Sequence, residues 1–266
     1  MDDLKVSVIQ PYIHWQNIDA NLADLEEKIW QIEEHTHLIV LPEMFNTGFT
    51  MLASKYSELM NGKTFRWLRQ MAGQTGAVIT GSYIVCEKNY FYNRLLWMKP
   101  DGSFLTYDKR HLFRLTQENK YFRKGKELLI ADLNGWKICP LICYDLRFPV
   151  WSRNIYLLDQ NRLSYDIGIY IANWPAARIN AWDTLLKARA MENSCYTIGV
   201  NRIGIDGNGI EYTGHSTVFN PKGEELLTFS NESKAVTTRL SYDFLLNYRQ
   251  KFPIFLDGDQ FEINFN

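Results

Sequence analysis

One cysteine of this sequence stands at the end of an apolar run, in a position that suits a nucleophile. Cys143 follows the apolar residues 136–142, and Asp145 and Pro149 suit the N-cap and the first turn of a helix. The dipole and the free backbone amides of a helix N-terminus favour the thiolate, which is the form of cysteine that attacks a carbonyl carbon. The other three cysteines lie in apolar segments and are interpreted as core residues: Cys86, Cys139 and Cys195.

Two charged residues follow other apolar segments. Glu43 comes directly after the apolar run 38–41 and Pro42, so its carboxylate is predicted at the mouth of a buried strand. Lys109 stands where a second predicted strand ends, and its ammonium could neutralise the oxyanion that forms when a carbonyl is attacked, aided by the backbone amide of Tyr144. Taken singly, Glu43 would be an ion-paired or helix-capping residue and Lys109 a solvated one. The chemistry therefore depends on the three side chains coming together.

The elements that must position these residues alternate along the chain. Strands are predicted over residues 4–10, 38–41, 77–85, 91–98, 103–107, 136–142, 167–172 and 196–200, with a hairpin over 217–229, and helices over 17–34, 65–72 and 181–192. This alternation predicts a layered α/β fold in which helices cover mixed sheets. No repeat or low-complexity linker interrupts it, so one domain spanning residues 1–266 is favoured.

Composition narrows the classes of partner. The 29 basic residues balance 30 acidic ones, so the net charge of -1 gives no field that would attract nucleic acid or an anionic membrane. No apolar run approaches the roughly 20 residues that span a bilayer, and the N-terminus lacks a signal pattern. Cysteines outside a disulfide pattern suit a reducing compartment, and no ligand cluster accompanies them, so no metal site is predicted. A small-molecule substrate and a cytoplasmic location are expected.

Three blocks of the sequence, in this order, resemble those of the nitrilase superfamily of carbon-nitrogen hydrolases. They are Leu41-Pro42-Glu43, the segment 107–113 around Lys109, and the segment 142–149 around Cys143. The likeness covers nearly the whole chain and continues through Asn173-Trp174-Pro175, the segment 189–193, Asn201-Arg202 and Gly214-His215-Ser216. The residues of the segments 44–49 and 143–153 are most similar to those of the omega-amidase, or YafV-like, branch.

The resemblance implies a fold and an activity. The fold is a single-domain, four-layer αββα sandwich that commonly forms homodimers, and the aromatic segment after about residue 240 is expected to pack on the body or on a partner subunit. The implied triad is Glu43, Lys109 and Cys143, with an accessory glutamate placed at Glu118 and Glu127 as the competing acid. The implied reaction hydrolyses omega-amides of dicarboxylic acids, such as 2-oxoglutaramate and 2-oxosuccinamate, through a thioester and without a cofactor.

The far carboxylate of such a substrate calls for a cationic group in the pocket. Arg147 is the candidate anchor because arginine can grip a carboxylate with two hydrogen bonds, and Arg178 and Arg114 are the competitors. Asn173 could donate its side-chain amide to the substrate, and Trp174 could form an apolar wall, although core packing explains Trp174 equally well.

Two alternatives stay open from the sequence. A nitrilase or an N-carbamoyl hydrolase would use the same triad and differ in pocket shape and leaving group. A catalytically silent scaffold would keep the fold without the reaction, but the intact Glu43, Lys109 and Cys143 argue against it.

Overall fold

The computed structural model describes residues 1–264 and contains mixed sheets covered by helices. The strands are β1 (Leu4–Gln10), β2 (Leu38–Val40), β3 (Val78–Glu87), β4 (Tyr90–Met98), β5 (Phe104–Asp108), β6 (Ala131–Leu133), β7 (Trp136–Ile142), β8 (Tyr156–Leu157), β9 (Arg162–Leu163), β10 (Ile167–Ile171), β11 (Tyr196–Val200), β12 (Ile203–Ile205), β13 (Glu211–Thr213), β14 (Thr217–Phe219), β15 (Glu225–Thr228) and β16 (Lys234–Leu240). The helices are α1 (Ile18–Trp30), α2 (Ala53–Tyr56), α3 (Lys63–Thr75), α4 (Glu118–Tyr121), α5 (Ile179–Glu192) and α6 (Tyr242–Lys251). Short 3-10 turns lie at Arg114–Thr116, Cys143–Arg147, Ala176–Arg178 and Ile254–Asp257.

The two large sheets share one plan. The first has the strand order β16-β1-β2-β3-β4-β5, and the second has the order β15-β14-β11-β10-β7-β6. In each sheet three neighbouring strands run parallel, namely β1, β2 and β3 in the first and β7, β10 and β11 in the second. Antiparallel strands flank them on both sides. The parallel strands of each sheet therefore end at one common edge.

The pleat of each strand divides its side chains between two apolar cores. On β1, Val6 and Val8 enter a core that also contains Ile138 and Ile169 of the second sheet, so this core lies between the sheets. Ile9 faces the other way, into a core built with α1 and α3. The order of layers is helices, sheet, sheet, helices. The predicted αββα sandwich is confirmed.

The segment after Leu240 begins with α6, which lies against the second sheet. Leu245 is fully buried, and Arg249 binds Asp166 at 2.6 Å. Beyond the helix, large apolar side chains remain exposed: Phe252, Leu256 and Phe261. Within residues 1–264, no helix combines the length and the apolar character needed to cross a membrane.

Candidate active site

Side chains from four strand ends meet at one place in the molecule. Glu43 follows β2, Lys109 follows β5, Cys143 follows β7 and Asn173 follows β10. Ligand sites of α/β proteins commonly form outside the carboxyl ends of strands. The site thus lies where the ends of the two sheets come together.

Lys109 lies between two carboxylates, and all three side chains are fully buried. Its Nζ is 2.8 Å from Oε1 of Glu43 and 3.0 Å from both carboxylate oxygens of Glu118. Burial alone would lower the pKa of Lys109, but the charges of Glu118 and Glu43 outweigh it and hold that pKa above its ordinary value. Burial raises the pKa of Glu118, against the opposing charge of Lys109. Lys109 is therefore a permanent cation.

The loop after Lys109 folds inward and brings Glu118 to it. The backbone amide of Phe113 donates to Oε2 of Glu118 at 2.5 Å, which fixes the carboxylate at the start of α4. Glu127, the competing acid, is exposed to solvent. Of the two glutamates that the sequence offered, the structure brings only Glu118 to the lysine.

Glu43 accepts hydrogen bonds on both carboxylate oxygens. Besides Lys109, the side-chain amide of Asn93 donates to Oε1 at 2.8 Å, and the backbone amide of Asn173 donates to Oε2 at 2.9 Å. The side-chain amide of Asn173 donates to the backbone oxygen of Glu43 at 2.5 Å. One N–H of the Asn173 side chain thus already holds Glu43, a contact that the sequence did not predict.

Cys143 sits in a sharp elbow, and the helix predicted after it is absent. Its φ is +45°, a left-handed backbone angle that residues other than glycine seldom adopt. The chain then makes only the 3-10 turn Cys143–Arg147. The carbonyl of Leu146, which a continuing helix would use, instead accepts a hydrogen bond from Arg189 at 2.7 Å. The prediction of an α-helix after Cys143 is therefore wrong, because a single 3-10 turn begins there instead.

The thiol of Cys143 is held neutral. Burial raises its pKa well above the ordinary value, the charge of Glu43 and a hydrogen bond with Glu43 raise it further, and Lys109 offsets them only in part. The sequence predicted an environment that favours the thiolate. The structure instead pairs a protonated thiol with a neighbouring carboxylate that can take its proton.

Asp145 fixes the elbow to the lysine-bearing segment. Its carboxylate accepts from the backbone amide of Ile142 at 3.1 Å, from the hydroxyl of Tyr107 at 2.7 Å and from the backbone amide of His111 at 2.9 Å. The Nδ1 atom of His111 lies 2.8 Å from the same carboxylate. Tyr107 and His111 flank Lys109 in sequence, so one buried carboxylate sets the positions of Cys143 and Lys109 together.

A small pocket of about 40 Å³ opens above Cys143 and Lys109. Its walls include Arg147 and Arg178. Cζ of Arg147 lies 5.0 Å from the ring centre of Trp174, and Cζ of Arg178 lies 5.3 Å from the ring centre of Phe113. Among the residues that the structure describes, neither arginine forms an ion pair with a carboxylate. The pocket therefore presents two cations without a protein counter-ion.

The residues proposed from the sequence for substrate binding all line this pocket: Tyr144, Arg147, Asn173 and Trp174. Arg178 joins them, whereas Arg114 is exposed and lies outside the lining. Three aromatic residues of the pocket wall were not predicted from the sequence: Phe49 and Phe113, which lie in loops, and Tyr212, which lies on β13. Isolated aromatic residues carry no signal that distinguishes a pocket wall from a core position.

Comparison with known proteins identifies the family to which this geometry belongs. The carbon-nitrogen hydrolase family model matches residues 5–241. The chain is 41% identical to the omega-amidase YafV of Escherichia coli K12, over 99% of this chain and 100% of that protein. It is 30% identical to the 2-oxoglutaramate amidase of Bacillus subtilis, over 95% of this chain and 96% of that protein.

A solved structure of high similarity belongs to the same family. XC1258 of Xanthomonas campestris, a CN-hydrolase superfamily protein whose crystal structure carries an arsenic adduct in the active site, superimposes with a TM-score of 0.97 at 40% identity. The match covers 99% of this chain and all of XC1258. The chain belongs to the carbon-nitrogen hydrolase family.

Proposed function

We propose that this protein is an omega-amidase, which releases ammonia from small omega-amides of dicarboxylic acids such as 2-oxoglutaramate and 2-oxosuccinamate. The observation that carries the proposal is the pocket itself. A neutral thiol, a buried carboxylate and a buried ammonium, on Cys143, Glu43 and Lys109, lie beside two arginines that lack a protein counter-ion. An amide with a distal carboxylate supplies both the carbonyl and the missing anion.

The first half-reaction forms a thioester. Glu43 takes the proton of the Cys143 thiol as sulfur attacks the amide carbonyl, so the S–C bond forms while the carbonyl oxygen becomes an anion. Lys109 and the backbone amide of Tyr144 stabilise that oxyanion. Glu43 then gives the proton to nitrogen, the C–N bond breaks, and ammonia leaves.

The second half-reaction restores the thiol. Glu43, again unprotonated, takes a proton from water as the water oxygen attacks the thioester carbonyl, and Lys109 stabilises the second oxyanion. The C–S bond breaks, the departing sulfur receives the proton, and the dicarboxylic acid is released. Lys109 cannot serve as the base, because the charges of Glu118 and Glu43 hold its pKa above the ordinary value and keep it protonated.

Glu118 supports the reaction through Lys109 in this proposal. Its two contacts at 3.0 Å hold Nζ in place while leaving it beside Glu43. Trp174 and Tyr144 are proposed as pocket walls that orient the acyl chain of the substrate. Asn173 is proposed to hold the carboxylate of Glu43 in place through its backbone hydrogen bond.

A substrate panel tests the reaction class. Ammonia release is measured with 2-oxoglutaramate, 2-oxosuccinamate, an uncharged short amide, a nitrile and an N-carbamoyl amino acid. The proposal expects the two oxo-amides to give the highest kcat/KM. Faster turnover of the nitrile or of the N-carbamoyl compound would identify the protein as a nitrilase or an N-carbamoyl hydrolase. If no compound is hydrolysed, a catalytically silent scaffold is favoured.

The arginine that grips the distal carboxylate gives a sharper prediction. Arg147→Met should lower kcat/KM for 2-oxoglutaramate by roughly 30- to 150-fold relative to an uncharged short amide, because a charge-assisted pair is worth about 2 to 3 kcal/mol. The methionine keeps an apolar side chain against Trp174. Arg178→Met is the matched comparison. An equal loss for both substrates in Arg147→Met would move the anchor elsewhere, and a selective loss in Arg178→Met would place it there.

Two further features belong to the same proposal. The exposed apolar side chains after α6 are the surface that we propose for a homodimer interface. The cysteines of residues 1–264 are all free thiols, which suits the reducing cytoplasm. Light scattering on the purified protein gives the subunit count directly.

A further inference from the structure

We infer that Asn93 is a positioning residue, which holds the carboxylate of Glu43 in the orientation and charge state that accept the proton of Cys143. The inference rests on the proposed role of Glu43 as the base. Asn93 lies within β4 and is fully buried. Neither the motifs of the sequence nor the pocket lining points to it.

Asn93 forms hydrogen bonds with both Glu43 and Lys109. Its side-chain amide donates to Oε1 of Glu43 at 2.8 Å, and its backbone carbonyl accepts the backbone amide of Lys109 at 3.0 Å. Strand β4 pairs with β3 along its whole length and with β5 on the other side, so Asn93 itself cannot shift without disturbing the sheet. It is a rigid donor between base and lysine.

The hydrogen bonds of Glu43 show which oxygen is left for the thiol. Oε1 accepts two bonds, from Lys109 and from Asn93, each at 2.8 Å. Oε2 accepts a single backbone bond, from Asn173 at 2.9 Å. Since a carboxylate oxygen offers about two acceptor sites, Oε1 is saturated and Oε2 has capacity for the proton. Asn93 thereby directs proton transfer to the oxygen that Lys109 does not hold.

The orientation of the Asn93 amide is set by Glu43. Oδ1 of Asn93 is buried and accepts no hydrogen bond within residues 1–264. The opposite orientation would place Oδ1 against a carboxylate oxygen, and the repulsion excludes it. The donor end of the Asn93 amide is therefore the end that faces Glu43.

Other titratable groups also face Glu43. Lys109 approaches from the end of β5, Glu118 from α4, Cys143 from the end of β7 and Tyr212 from β13. None of them changes when Asn93 is substituted. A shift seen in an Asn93 variant is therefore caused by the lost donor, provided that the fold is kept.

The test compares pH profiles of wild type, Asn93→Ala and the nearly isosteric Asn93→Asp. A donor to a carboxylate favours its charged form, so removing the donor lets the base take up a proton at higher pH. The acid limb of kcat/KM should move to higher pH by about one unit in Asn93→Ala, and further in Asn93→Asp, where a second carboxylate faces Glu43. The value of kcat should fall about tenfold or more in both variants.

The rate of Cys143 alkylation by iodoacetamide, followed by mass spectrometry, gives the same comparison without any substrate. Its acid limb should move in the same order as that of kcat/KM. Thr80→Val is the matched control, because Thr80 is equally buried on the adjacent strand β3 and donates to Leu96 on β4 at 2.8 Å. The control should keep both profiles.

Folded Asn93 variants with a lower kcat but an unmoved acid limb in both assays would overturn the positioning role. Should Asn93→Ala not fold, Asn93→Asp decides alone, since it preserves the volume of the side chain. Failure of the wild-type protein to hydrolyse any amide would instead overturn the proposed function, and the alkylation profiles would still decide the role of Asn93.

Discussion

Cys143→Ala is expected to abolish amide hydrolysis, with a loss of at least about 10⁴-fold in kcat, while the protein stays folded. The substitution removes the only nucleophile in the proposed mechanism, so no acyl intermediate can form. Alanine replaces a half-buried side chain and adopts the same left-handed φ of +45° at similar cost, so the melting temperature should change little. Ammonia release and a thermal melt of the same preparation check both parts.

Cys86→Ala is the matched control, since Cys86 is half-buried like Cys143 but lies on β3, away from the pocket. It should keep wild-type activity. Acid quenching during turnover should also leave an acyl group on the peptide that contains Cys143. An adduct on Cys86, Cys139 or Cys195, or full activity in folded Cys143→Ala, would contradict the mechanism.

The central strands of both sheets are predicted well by the sequence. Strands β1, β7 and β11 begin and end at the residues where the apolar patterns do. These strands are buried along almost their whole length, so their composition is dictated by the core and carries a strong signal. Their order in space follows from the αββα architecture of the family.

Elements at the edge of the fold are less visible in the sequence. Strand β16 pairs with β1 along seven residues, yet its side chains are half-buried on both faces and include Lys234 and Arg239. No alternation marks it as a strand. The helix predicted after Cys143 fails for a different reason, because Asp145 and the carbonyl of Leu146 bind partners distant in the chain, Tyr107 and Arg189. Tertiary hydrogen bonds override the local signal there.

Three of the side chains that meet at the site are predicted from the sequence, but their surroundings are not. Glu43, Lys109 and Cys143 each stand at a strand end within a block that resembles the family, and the resemblance names them. Asn93 lies in mid-strand, 50 residues from the carboxylate that it binds. Its role follows only from the pairing of β3 with β4, which no local pattern encodes.

Lys109→Met is expected to lower kcat by about 100- to 1000-fold and also to destabilise the protein, by about 3 to 5 kcal/mol near neutral pH. The loss of activity follows because the oxyanion loses its cation. The loss of stability follows because Glu43 and Glu118, both fully buried, then face each other without the ammonium that binds both. Methionine matches the length of lysine, so packing is largely preserved.

The destabilisation should depend on pH in a defined direction. Burial already raises the pKa of Glu118 in the native protein, and removal of Lys109, which lowers it, must raise it further above the unfolded value of about 4.3. An acid whose pKa is raised by folding binds more protons in the native state, so stability falls as pH rises from the unfolded pKa through the folded one. The difference in melting temperature between wild type and Lys109→Met should therefore be small near pH 4 and grow toward pH 8.

A second substitution separates the two effects of Lys109. Glu118→Gln in the Lys109→Met background removes one buried carboxylate and should recover much of the lost stability, because only Glu43 then remains charged. It should not recover activity, since the oxyanion still lacks its cation. If the double variant regained activity together with stability, Lys109 would act only by balancing the charge of Glu118. If stability stayed low at every pH, the packing of the lysine stem, and not its charge, would account for the loss.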